Sequence, residues 1–115
     1  MRILKDEQLV EVRNHMAGGA GSVTLNHFLS KEEAYTAGRL FAVNTLLPGC
    51  SIGYHKHTGE FEIYYILEGT AEITEDGEIY ELHEGDMMQC KDGSSHGIAN
   101  KSHEPLRFLA LILNV

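Results

Sequence analysis

Residues Gly53–Gly69 read GYHKHTGEFEIYYILEG. Two histidines stand two places apart, a Thr-Gly break follows, and a glutamate then heads an almost wholly apolar run. Alternate residues of a strand share a face, with their Cα atoms roughly 7 Å apart. His55 and His57 can therefore converge on one point while Lys56 points away. An unbroken strand would carry Glu62 to the opposite face; the Thr58-Gly59 break resets that parity. Beyond it Glu62, Tyr64 and Ile66 share one face, and Phe61, Ile63, Tyr65 and Leu67 share the other. Both faces are mostly apolar, which predicts a strand covered on both sides. An ionised Glu62 among buried neighbours is costly unless it is paired or bound to a metal. A cation held between the two histidines and Glu62 would account for all three. Ordinary exposed strand polarity is the plainer reading of His-Lys-His taken alone.

Outward from this stretch, the chain has the composition of a single globular domain: 115 residues, 43% of them hydrophobic, with 12 glycines and two prolines. Seventeen acids against nine bases leave a formal charge of −8. Such a surface argues against nucleic acid and against anionic membranes, both of which attract basic proteins. A small anionic ligand stays open, because a metal inverts the local field. The first residues, MRILKDEQLVEV, are broken by charge and form no signal-peptide core. No run reaches the 18 or so apolar residues of a membrane span. Cys50 and Cys90 are too few for a disulfide scaffold and read as small buried groups, so a cytoplasmic location is the expectation.

The turn signals predict many short strands. Residues 3–16 fit a helix or an edge strand equally, and Gly18-Gly19-Ala20-Gly21 is a break. Ser22–Leu29 reads as a strand. Ser30 followed by Glu33 has the order of a capping box and predicts a helical turn over 31–36, ended by Gly38. From Arg39 onward strand follows strand. Pro48-Gly49, Glu68-Gly69, Glu84-Gly85-Asp86 and Lys91–Ser95 mark turns, and Asp76-Gly77 between two β-patterned runs is a hairpin signal. This pattern predicts an all-β sandwich or barrel.

The second half supplies the rest of the pattern. Gly49, five residues, His55, Lys56, His57, four residues, Glu62, six residues and Gly69 match the first motif of the cupin family. Gly85, Gly93, His96 and Asn100 match the second, except that Lys91 stands where the family has a turn-forming proline. Fifteen residues separate Gly69 from Gly85, as in compact single-domain members. The chain thus resembles the cupins, well over 40–115 and poorly over the first 38 residues. The resemblance implies a double-stranded β-helix, or jelly-roll barrel, over 39–115, preceded by an N-terminal extension or arm over 1–38. It also implies four metal ligands, His55, His57, Glu62 and His96. Three imidazoles and one carboxylate suit one divalent transition ion among Mn, Fe, Ni, Co and Zn, with two positions left for an anion or an anion plus O₂. The run SIGYHKHTGEFEIYYILEGTAEI is similar to small bacterial cupins of the oxalate-binding and oxalate-decarboxylase-like type, which implies manganese and a small carboxylate ligand.

The remaining polar residues have plainer readings beside functional ones. Tyr64 could hydrogen-bond a bound ligand or pack in the barrel. Arg39 could hold a substrate carboxylate or be an exposed end charge. His15, His27, His83 and His103 lack ligand spacing and read as surface or turn residues. Met87 and Met88 read as core fillers, Asn100 as a residue fixing the loop behind His96, and Glu60 as near the ligands but facing solvent. Two function classes remain open. One is a metal-dependent enzyme acting on a small carboxylate, of decarboxylase, dioxygenase or isomerase type. The other is a non-catalytic sensor or storage module that binds such a ligand. The outward apolar faces suggest a homodimer.

Overall fold

The computed structural model describes residues 1–115, and they fold into two antiparallel sheets wrapped around one core. In chain order the strands are β1 (Leu9–Asn14), β2 (Ser22–His27), β3 (Gly38–Leu46), β4 (Ser51–Lys56), β5 (Glu60–Glu68), β6 (Ala71–Glu75), β7 (Glu78–Leu82), β8 (Met87–Cys90), β9 (Ser95–Ala99) and β10 (Leu106–Asn114). The larger sheet runs β1-β2-β3-β10-β5-β8 and the smaller one β4-β9-β6-β7. This is the expected all-β jelly roll. No helix is long and apolar enough to cross a membrane.

The turn chemistry explains the punctuation. At the β6–β7 hairpin Asp76 (φ 46°) and Gly77 (φ 86°) both take positive φ, the conformation that a two-residue turn of this kind requires. The capping box forms in both directions: the Glu33 amide donates to Ser30 Oγ at 3.1 Å, and the Ser30 amide donates to Glu33 Oε1 at 2.8 Å. It closes the expected single turn over 31–36. Residues 9–14, ambiguous in sequence, are the edge strand β1. Residues before 39 lengthen the larger sheet by two strands, and Val23 and Leu25 of β2 lie within the common core.

Cross-strand register orders the core into layers. Glu62, Ile112 and Leu40 lie side by side across β5, β10 and β3; next come Tyr64, Ala110 and Ala42, then Ile66, Phe108 and Asn44. All nine are buried. The two alanines beside Tyr64 leave volume that its ring fills. That ring stacks on His96 from the opposite sheet, with centroids 4.8 Å apart and planes 14° from parallel, and meets Phe108 edge-on at 4.8 Å. One aromatic thus joins the two sheets directly beneath the cluster of histidines.

Two sequence expectations change. The outward face of β5 is not covered within the chain: Phe61, Ile63 and Leu67 are half-buried and Tyr65 is exposed, because the smaller sheet packs on the other face. Met88 packs inward as expected, but Met87 is its strand neighbour and so points out, 51% exposed.

Enlarging Ala110 tests the packing beneath the site. Ala110→Leu should lower stability by about 1–3 kcal/mol through overpacking against Tyr64, read as an earlier urea midpoint at unchanged slope.

Candidate metal centre

His55 sits on β4, His57 just beyond its end, Glu62 on β5 and His96 on β9. Their ligand atoms all lie within 4.8 Å of one another. The Nε2 atom of His57 is 3.2 Å from that of His55 and 3.1 Å from that of His96. Glu62 Oε1 lies 2.9 Å from His96 Nε2, 3.1 Å from His57 Nε2 and 3.7 Å from His55 Nε2. The four residues expected from the sequence are brought together, and the group could hold a metal ion.

Local irregularities aim these side chains. On β9, Ile98 and His96 are two residues apart and pair with Ile52 and His55, which are three apart on β4; the register shifts between Ile52 and His55. The extra residue in this bulge turns His55 to the same inner side as Ile52, where plain alternation would turn it out. The bulge also presents the Gly53 carbonyl, which accepts from His55 Nδ1 at 2.7 Å. At the Thr58-Gly59 break Gly59 adopts φ 75°, and its amide donates to Asp92 Oδ1 at 2.7 Å. The backbone of His57 is tied to the same loop, its amide donating to Ser94 O at 3.0 Å and its carbonyl accepting from Gly93 at 2.8 Å. The resetting of parity read from the sequence is therefore real, and the loop before β9 holds it.

The electrostatics call for positive charge at the centre. Gly53 O and the Glu60 carboxylate can only accept, so His55 and His57 donate to them through Nδ1. In neutral imidazoles this leaves two Nε2 lone pairs facing each other and Glu62. Acceptors at such distances repel unless protons or a cation lie between them. Where those nitrogens carry protons instead, hydrogen bonds from the imidazoles outweigh the burial that would raise the Glu62 pKa and hold its carboxyl well below the usual range. The hydrogen bond to Glu62 raises His57 above its ordinary 6.5, while burial lowers His96. The Nδ1 atom of His96 is buried without a partner. His57, Glu62 and His96 are closed off, whereas the side chain of His55 is 24% exposed and marks the side from which a ligand can enter.

The inward neighbours are now placed. Tyr64 is fully packed, and burial, reinforced by Glu62, raises its phenol well above 10. Cys90 faces inward opposite Glu62, and burial pushes its thiol up to about 12. Glu60 does not face solvent: its carboxylate accepts from His57 Nδ1 at 2.6 Å and from Arg39 through Nε and Nη2, both at 2.8 Å. The guanidinium of Arg39 holds Glu60 at a pKa of about 2. The sequence carries no local sign of this pair, because its members are on β3 and β5 with β10 between them. Asn100 fixes a loop: Nδ2 donates to Leu46 O at 2.9 Å and Glu104 O at 2.7 Å, and Oδ1 accepts from the Ser102 amide and hydroxyl at 3.0 and 2.8 Å. His27 Nε2 lies 2.9 Å from Glu11 Oε1 of the neighbouring strand β1, and His15 Nδ1 lies 3.1 Å from Gly19 O.

Comparison with known proteins agrees with this architecture. A model of the cupin domain matches residues 42–112. An oxalate-binding protein of Thermotoga maritima is 42% identical over 98% of this chain and 93% of its own length. A crystal structure from Thermotoga maritima, described as a predicted oxalate decarboxylase, superposes with a TM-score of 0.94 at 42% identity, covering all of both chains. A 5-nitrosalicylic acid 1,2-dioxygenase of Bradyrhizobium is 29% identical over 80% of this chain, which spans 43% of that enzyme.

Asn100→Ala should strand the carbonyls of Leu46 and Glu104 and the Ser102 amide. The expected cost is about 1–3 kcal/mol, measured by denaturant unfolding.

Proposed function

The chain belongs to the cupin family, and from that premise we propose that His55, His57, Glu62 and His96 hold one divalent transition ion on which a small carboxylate binds. The observation that carries this is the meeting of imidazole lone pairs and a buried carboxylate at one point. The donor set fits: three imidazoles and a carboxylate are ordinary ligands for such ions. The same donor set suits Mn, Fe, Ni, Co and Zn alike. Manganese is the ion that the oxalate-type resemblance implies.

A bound metal would act as a Lewis acid and a template for carboxylate oxygens. The chain's own contribution is to orient the imidazoles, keep Glu62 ionised and restrict entry to the side of His55. The oxalate-binding relative supports a small carboxylate ligand. Conversion of that ligand, by decarboxylation, dioxygenation or isomerisation, is the enzymatic form of this reading. The non-catalytic form, a sensor or storage module, is favoured by the neighbours of Glu62. Tyr64 and Cys90 are both held protonated, and Glu60 is tied to Arg39, so none is a ready proton donor near neutral pH. Arg39 reaches substrate in this reading only by leaving Glu60.

The apolar residues exposed on β1 (Leu9, Val10 and Val12), with Tyr65 and Met87 on β5 and β8, support a homodimer. Light scattering that gives a monomer mass would remove that part. Two unpaired cysteines accord with a reducing, cytoplasmic compartment.

Elemental mass spectrometry of untagged protein should find about one transition ion per chain. His57→Ala should lose most of it while keeping the β circular-dichroism spectrum, and His103→Ala should lose none. Metal-free protein without a stoichiometric ion after refilling would end the proposal. A panel of oxalate, other dicarboxylates and keto acids, with and without O₂, separates the two forms: tight binding without turnover supports the sensor.

The acid dependence follows from His57. Its pKa is raised above 6.5 in the metal-free fold, so it holds a proton that a metal must displace. Metal affinity should therefore fall as pH drops through the neutral range. Proton release on metal addition, followed in weakly buffered solution, checks the sign.

A further inference from the structure

We propose that Arg39 and Glu60 form a positioning pair that fixes the ring of His57, in both orientation and tautomer, and makes it the strongest donor of the three imidazoles. This inference rests on the metal reading above and names the chain's own support for it.

The three rings differ at Nδ1. His55 faces a neutral carbonyl, Gly53 O, at 2.7 Å. His96 has a buried Nδ1 with no partner. His57 alone faces a carboxylate, Glu60 Oε2 at 2.6 Å. An ionised carboxylate accepts but does not donate, so in the neutral ring the proton is on Nδ1 and the lone pair on Nε2 points to the centre of the cluster. A carboxylate behind a ligating imidazole fixes the tautomer and raises its basicity. Arg39 makes this arrangement rigid. Its Nε and Nη2 each donate at 2.8 Å, one to each oxygen of Glu60, a two-point grip that fixes the carboxylate plane.

The geometry also places the pair structurally. Glu60 begins β5 and pairs with Asn114 at the end of β10, and Arg39 on β3 reaches past that end. Three strands of the larger sheet thus hold a residue that follows β4 in the smaller sheet. The side chain of Glu60 is 15% exposed, against 48% for Arg39, so the half that touches His57 is the sheltered one. An ordinary surface ion pair would leave the state of His57 unchanged when removed; a positioning pair would not.

The test uses the full chain, stripped with a chelator and labelled with ¹⁵N at histidine, near pH 8. Wild-type NMR spectra should show His57 as the Nδ1–H tautomer. Glu60→Ala should move His57 toward Nε2–H and leave His55 as it was. Titration with Co²⁺ should show about 10–100-fold weaker binding in Glu60→Ala. Glu60→Gln, whose amide oxygen still accepts from Nδ1, should recover part of that loss. Arg39→Met should weaken binding less than Glu60→Ala. Wild-type tautomer and Co²⁺ affinity both retained in Glu60→Ala would overturn the proposal. Should wild-type protein take up no Co²⁺, the metal reading fails, while the tautomer shift still decides whether Glu60 and Arg39 position His57.

Discussion

Three imidazole nitrogens and one carboxylate oxygen meet inside a β roll, and at least two of those nitrogens turn lone pairs toward the meeting point. Such an arrangement is unfavourable without positive charge at its centre. His57, Glu62 and His96 are also buried, so water does little to relieve the repulsion among them. The surrounding structure is best understood as what forces these groups together. The bulge in β4 turns His55 inward, the Thr58-Gly59 break turns Glu62 back toward the histidines, and the loop before β9 grips the backbone of His57.

Support beneath the cluster is apolar. Tyr64 fills the space left by Ala42 and Ala110 and stacks on His96, so one end of the centre rests on a ring that is itself packed against Phe108. Support at the rim is ionic, through Arg39 and Glu60. Packing fixes His96 from below while hydrogen bonds fix His55 and His57 from the side. The three imidazoles are therefore not equivalent, and the difference arises from what stands behind each ring.

This inequivalence bears on chemistry. The cluster meets solvent beside His55, and the groups nearest Glu62 hold their protons tightly. Binding needs an accessible ion and little else, whereas turnover also needs a group that exchanges protons near neutral pH. Among close neighbours of a fold that hosts many activities, such details decide function more than the fold does.

The sequence by itself determined the strand pattern, the hairpin at Asp76-Gly77, the capping box at Ser30 and the grouping of His55, His57 and Glu62, to which the resemblance to the cupins added His96. These are set by local conformational preference and by spacing along one or two strands, both of which are written in consecutive residues. It left residues 9–14 open, misplaced Met87, and placed Glu60 toward solvent, although Glu60 stands two residues before Glu62 on β5 and shares its face. Those outcomes depend on strand order, since β10 must come between β3 and β5 before Arg39 and Glu60 can meet, and on which faces the two sheets cover. The unlike surroundings of the three histidines were likewise decided only in tertiary structure. Each ring's partner lies on whatever the fold brings behind it, and no spacing in the chain encodes that distance.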